Sequence, residues 1–119
     1  MRFARWAFAA AGIYGVVTLP PLYFTERRLT PPVNHPEFYY GFIGAGLAFQ
    51  ILFLIVARDP QRLRPVMPAC IVEKLTFVVA LSWLYALGRV TPLVFGLGMI
   101  DLVWLAMFVA AYVRTATAA

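Results

Sequence analysis

The sequence predicts an all-α membrane protein: a four-helix transmembrane bundle running up-down-up-down, with both termini cytoplasmic. Three observations predict it. Hydrophobic residues make up 63% of the 119 positions and charged residues only 13%, where a water-facing surface needs roughly a quarter of its residues charged. The apolar residues fall into four runs of about 20 residues, the length that crosses a hydrocarbon core. The charges gather between those runs. Spanning segments must pair their backbone groups internally, which leaves helices or closed barrels. The chain is too short for a barrel and lacks the alternating pattern that one requires. A single integral membrane domain over residues 1–119 is therefore expected.

The first run covers 3–22. Arg2 and Arg5 precede an apolar stretch, as in a signal peptide, but no small-residue cleavage site with a polar start follows, so a retained helix is expected. Arg5 lies close enough to the end to snorkel to the headgroups. Pro20 and Pro21 should end or kink this helix. The loop that follows holds Glu26, Arg27, Arg28, Pro31, Pro32 and His35. Its paired prolines predict an ordered turn or a short extended piece.

The second run covers 37–57. Asn34 is a candidate N-cap, with Glu37 reaching back to it. Tyr39 and Tyr40 sit where an interfacial aromatic belt would place them, and Gln50 is the strongly polar residue inside the run. A basic loop follows, with Arg58, Arg62 and Arg64, and Asp59-Pro60 reads as a cap with a first-turn proline. The third run covers 68–87 and carries Glu73 and Lys74 in its first two turns. Lys74 is expected to snorkel to the surface. The fourth covers 92–113, with Thr91 as a candidate cap and Asp101 near its middle. The tail, 114–119, is expected to be weakly structured.

Charge sets the orientation. With the N-terminus inside, Arg2, Arg5, Arg58, Arg62, Arg64, Lys74 and Arg114 fall on the inner side and Arg27, Arg28 and Arg89 on the outer, so the positive-inside rule places both ends in the cytoplasm. The net charge of +5 then reflects topology and anionic headgroups rather than nucleic acid. Membrane lipids are the expected partners, together with a homo-oligomer or a larger membrane complex. Small residues at fourfold spacing supply candidate packing faces, within the bundle or equally toward a partner subunit: Ala7, Ala11 and Gly15 in the first run, Gly41 with Ala45 and Gly44 with Ala48 in the second, and Ala106 with Ala110 in the fourth.

The chemistry-bearing residues are few. A charge inside hydrocarbon costs about 2.5–3.5 kcal/mol on insertion scales, so such residues face protein or water. Asp101 lies roughly 13 Å from the outer start of its run, Glu73 roughly 7 Å and Gln50 roughly 10 Å from the inner side, at 1.5 Å per residue. Glu73 and Gln50 can thus share a level and a hydrogen bond, while Asp101 stands apart from both by depth, with Tyr14 and Ser82 as candidate neighbours. These three form the candidate intramembrane polar site. Glu73 reads either as an acid favoured by a helix N-terminus or as a proton or substrate group. Asp101 reads either as structural glue or as a functional acid. His35 and Glu37 are outer-loop candidates; with Glu26 they could form a weak metal site, but their spacing matches no tight motif. The single cysteine, Cys70, closes no internal disulfide and reads as a small apolar residue. No catalytic set, metal site or cofactor motif is assigned, and any cofactor is unknown.

The stretch HPEFYYGFIGAGLAFQILFLIVARDPQRLRPVMPACIVEKLTF, within residues 34–77, resembles a family of small four-span bacterial membrane proteins to which no activity attaches. The features carrying it are His35-Pro36-Glu37, Tyr40-Gly41-Phe42, Gln50, Asp59-Pro60, Arg64-Pro65 and Glu73-Lys74. The resemblance implies a multi-pass protein of the bacterial cytoplasmic (inner) membrane. A looser similarity links the chain to four-span sterol-isomerase-like and lipid-binding membrane proteins, whose pockets use intramembrane acids. Two functions are therefore expected in competition: a structural or accessory-subunit role, and a small lipid-binding, transport or isomerase-like role built on Glu73, Gln50 and Asp101.

Overall fold

A computed structural model describes residues 2–29 and 32–118, and every regular element in them is helical. Helix α1 is Arg2–Thr18, α2 is Pro36–Arg58, α3 is Met67–Ala86, α4 is Pro92–Gly98 and α5 is Ile100–Ala118. They supply four stretches long and apolar enough to cross a membrane: Arg2–Phe24, Pro36–Arg58, Arg64–Ala86 and Pro92–Ala116.

Local chemistry explains the ends. α1 stops at Thr18, just before Pro20 and Pro21, and the chain tightens into 3₁₀ turns over Pro20–Phe24 and Glu26–Arg28. The turn expected at the paired prolines includes Pro31, which lies outside the described residues. These turns are tied to the start of α2. Tyr39 Oη donates to the Leu22 carbonyl at 2.7 Å and Tyr40 Oη to a Glu26 carboxylate oxygen at 3.4 Å. Asn34 does not cap α2. His35 takes that position, without a side-chain cap bond, because Pro36 enters as the first helical residue. Asp59 ends α2 and accepts from the Arg62 backbone N–H at 3.3 Å, capping the next turn. Thr91 caps α4 as expected, accepting from Val94 N–H at 3.2 Å. Gly88, at φ 70°, closes α3: its N–H bonds to the Tyr85 carbonyl and that of Arg89 to the Leu84 carbonyl. This double bond uses the left-handed conformation that glycine adopts without a Cβ clash.

Two expectations about helix continuity need correction. The fourth span is not one helix, for it breaks at Met99 between α4 and α5. Gly96 and Gly98 weaken the helix there, and Gly98 lies so close to Leu81 of α3 that a Cβ would overlap that side chain. The tail is ordered, with α5 helical through Ala118. Thr115 Oγ1 holds that end by bonding back to the Ala111 carbonyl at 2.8 Å and receiving Arg64 Nε at 3.1 Å.

The core follows seam positions on each helix. Buried residues fall at Ala4, Phe8, Ala11 and Gly15 on α1, and at Ile43, Gly46, Gln50 and Phe53 on α2. On α3 they fall at Met67, Cys70, Lys74, Val78 and Leu81. On α5, Phe108, Ala111 and Thr115 are buried. This alternation of three and four is the seam of packed antiparallel or parallel bundles. Three rings close its centre: Phe8 stacks on Phe108 at 4.2 Å, and Phe53 meets Phe108 edge-on at 4.8 Å. α1 packs chiefly on α2 and α5, and α3 on α5, while α2 and α3 touch only sparingly.

The small-residue stripe Ala7-Ala11-Gly15 is buried as expected, but Gly41, Ala45, Ala48 and Ala106 are exposed. In α2, Gly46 lies against Leu19 of the other wall, and Gly44 approaches only Tyr23.

Candidate functional site

The seam carries a polar layer. Beside the apolar core, Gln50 of α2, Lys74 of α3 and Asp101 of α5 line one cavity. Lys74 therefore does not snorkel. It shares a face with Cys70 and Val78, is only 4% exposed, and points into the bundle. Its Nζ lies 3.3 Å from Asp101 Oδ1 and 3.5 Å from Glu73 Oε2. The first contact is a hydrogen bond joining α3 to α5. The second has the distance of an ion pair but not hydrogen-bond geometry, so Glu73 Oε2 has no hydrogen-bond partner among the described residues. Lys74 Nζ also stands 5.3 Å from the centre of the Phe53 ring, within reach of a cation–π contact.

Asp101 does not stand apart, contrary to the expectation from depth. Depth counted along helices omitted the reach of the Lys74 stem and the break at Met99. That break has a second consequence: it starts a new helix at Ile100, so Asp101 lies in the first turn of α5. Unpaired N–H groups and the positive end of a helix dipole favour an acid there. Broken helices are tolerated at membrane depth where they line a protein-enclosed polar cavity.

The expected Gln50–Glu73 hydrogen bond is absent. Gln50 Nε2 donates to the Gly46 carbonyl of its own helix at 2.9 Å, and its Oε1, buried, has no partner among the described residues. The Gln50 side chain is held against α1 because residue 15 is glycine; a Cβ there would overlap it. Gly12 allows the same close approach a turn earlier, with Leu54 and the Gln50 carbonyl 2.7–2.9 Å from where its Cβ would stand.

Gln50, Glu73, Lys74 and Asp101 nevertheless line one cavity of about 70 Å³, with Tyr14, Phe42 and Phe77 among its other walls. All three predicted intramembrane residues are thus brought together. Lys74 is what sequence reasoning left out of the site; of the two neighbours expected for Asp101, Tyr14 lines the cavity and Ser82 does not. The missed signal was register: 67, 70, 74, 78 and 81 repeat as a seam, and a lysine on a seam faces inward.

A second, wider space of about 300 Å³ lies between α2 and α3, lined by Phe42, Ala45, Gly46, Phe49, Glu73, Thr76 and Phe77. It shares Phe42, Gly46, Glu73 and Phe77 with the polar cavity. Glu73, one residue off the seam, stands at the junction of the two. The sparse α2–α3 contact is what leaves this side open.

The outer-loop candidates are elsewhere. His35 Nδ1 lies 3.2 Å from Glu37 Oε1, with both side chains about two-thirds exposed at 69% and 65%. No group of three or more His, Cys, Asp or Glu side chains gathers in a metal-binding arrangement among the described residues. Cys70 is buried in the apolar core.

No family model, no curated protein and no solved structure matches this chain.

Proposed function

We propose that this chain is a small lipid-binding membrane protein whose intramembrane polar site is entered sideways, from the bilayer, between α2 and α3. The observation that carries the reading is the adjacency of two spaces. A polar cavity ringed by Gln50, Glu73, Lys74 and Asp101 shares four wall residues with an apolar opening between two spanning helices. An amphiphile can lay its tail along Phe42, Phe49 and Phe77 and bring its head to Glu73. Apolar walls with a few convergent polar groups are the usual composition of a ligand site. Such a site suits binding, transfer between leaflets or a reaction on the head, as in the isomerase-like proteins that the sequence loosely resembles.

The reading places the four spans up-down-up-down in the bacterial cytoplasmic membrane with both termini inside. Without Lys74, which is buried, the inner side still carries Arg2, Arg5, Arg58, Arg62, Arg64 and Arg114 against Arg27, Arg28 and Arg89 outside, so the charge rule keeps its direction.

The test is photocrosslinking. A diazirine-bearing alkyl amphiphile should label residues along the α2–α3 opening, and Ala45→Trp, which fills the opening from an exposed position, should abolish that labelling. Labelling spread evenly over all lipid-facing surfaces, unchanged by Ala45→Trp, would reject the site.

A second reading, a structural or accessory-subunit role, is favoured by the Lys74–Asp101 bond that ties α3 to α5. In that case the polar layer serves assembly alone, and lipid labelling shows no preference for the opening.

A further inference from the structure

We infer that the head group taken by this site is a primary ammonium, carried on a single-chain amphiphile without phosphate. The inference rests on the lipid-binding reading and narrows it. Its first support is charge. Glu73 and Asp101 bring two carboxylates and Lys74 one ammonium to the cavity. With all three ionised, the set sums to one negative charge, two acids against one base. An unbalanced charge at this depth is costly, and an incoming cation removes the imbalance.

The second support is hydrogen bonding. Gln50 Oε1 is a buried acceptor without a hydrogen-bond partner among the described residues, Glu73 Oε2 has the Lys74 ammonium 3.5 Å away but no hydrogen bond, and both residues line the cavity. Gln50 is itself only 3% exposed. Buried acceptors left unpaired are expensive and call for a donor. A primary ammonium brings three N–H donors and a positive charge together. A trimethylammonium head brings the charge without a donor. A hydroxyl brings a donor without the charge.

Size and surroundings narrow the class further. A cavity of about 70 Å³ suits a compact head. A phosphate-bearing head is larger and anionic. The one base lining the cavity, Lys74, already serves Asp101. The tail takes the apolar space beside Phe42, Ala45, Phe49 and Phe77.

The test is competition on the full-length protein in phosphatidylcholine nanodiscs carrying the same diazirine-bearing amphiphile as probe. The competitors are dodecylamine, dodecanol, dodecyltrimethylammonium, dodecanoate and a phosphatidylethanolamine. Dodecylamine should displace the probe at a concentration about tenfold lower than dodecanol or dodecyltrimethylammonium, the scale of one charged hydrogen bond. Dodecanoate and the phosphatidylethanolamine should be weaker still. Glu73→Gln should bring dodecylamine and dodecanol to equal potency. Should that variant fail to fold, the ranking on the unaltered protein decides by itself. Equal displacement by dodecylamine and dodecanol overturns the ammonium assignment and leaves the lipid site standing. Equal displacement by the phosphatidylethanolamine overturns the exclusion of phosphate and names a bilayer lipid as the source. Failure of the probe to label the opening at all removes the lipid-binding reading itself.

Discussion

Replacing Lys74 by methionine tests the polar layer most directly. The side chain is 4% exposed, and its Nζ serves Asp101 at 3.3 Å and Glu73 at 3.5 Å. Methionine keeps the stem's volume and flexibility and deletes the charge. Two carboxylates, each with 21% of the side chain exposed, then face each other without a cation. Breaking a buried pair from one side costs about 3–5 kcal/mol. The residual exposure of the acids places the expectation at the lower end, about 3 kcal/mol. Adding Asp101→Asn removes one of the stranded charges. The double variant should recover some of the loss, with a coupling energy within the roughly 0.5–3 kcal/mol seen for contacting residues. Reversible unfolding in mixed micelles by increasing fractions of denaturing detergent, followed by tryptophan emission, measures all four members of the cycle. A loss below about 0.5 kcal/mol for Lys74→Met, the level of an ordinary surface change, would mean that the lysine lies at the headgroups and that the buried pair is wrong. Strict additivity would separate Lys74 from Asp101.

Other expectations follow from the same contacts. Gly98→Ala should destabilise the protein by about 1–3 kcal/mol, because its Cβ would overlap Leu81, whereas Gly96→Ala meets nothing within 4 Å and should be neutral or slightly stabilising; equal effects in the same unfolding assay would refute the close α3–α4 approach. Arg64→Lys should cost about 1–2 kcal/mol, since Arg64 Nε donates to the Tyr112 carbonyl at 3.0 Å and its guanidinium lies 3.8 Å over the Tyr112 ring, a planar stack that lysine does not reproduce. Unchanged unfolding would show that this contact contributes nothing to stability. Gly15→Leu should disrupt the packing of α1 on Gln50 and lower thermal stability in detergent far more than Gly41→Leu, whose site is open. Cysteines introduced at Arg62 and Arg28 should react with impermeant reagents from opposite sides, Arg62→Cys from the cytoplasm; the reverse pattern would invert the topology.

By itself, the sequence determined the class of the protein. Composition and four apolar runs are summed properties, insensitive to how side chains turn, and four helical stretches long and apolar enough to cross a membrane follow from them together with the cap at Thr91 and the stop before Pro20. It also singled out Gln50, Glu73 and Asp101, because polar residues in apolar runs stand out without any geometry. Tertiary structure alone decided how these residues are paired. Depth along a straight helix kept Asp101 away from Glu73. A break at Met99, beside the close approach of Gly98 to Leu81, and the inward register of Lys74 brought the two together through a third residue. Whether Gln50 bonds to Glu73 or to its own helix depends on rotamer and on the space left by Gly15, neither of which is encoded in spacing. The opening between α2 and α3 is likewise a property of how four helices divide their contacts. Apolar runs state that each helix can lie in lipid; they do not state which pair of helices will leave a gap between them.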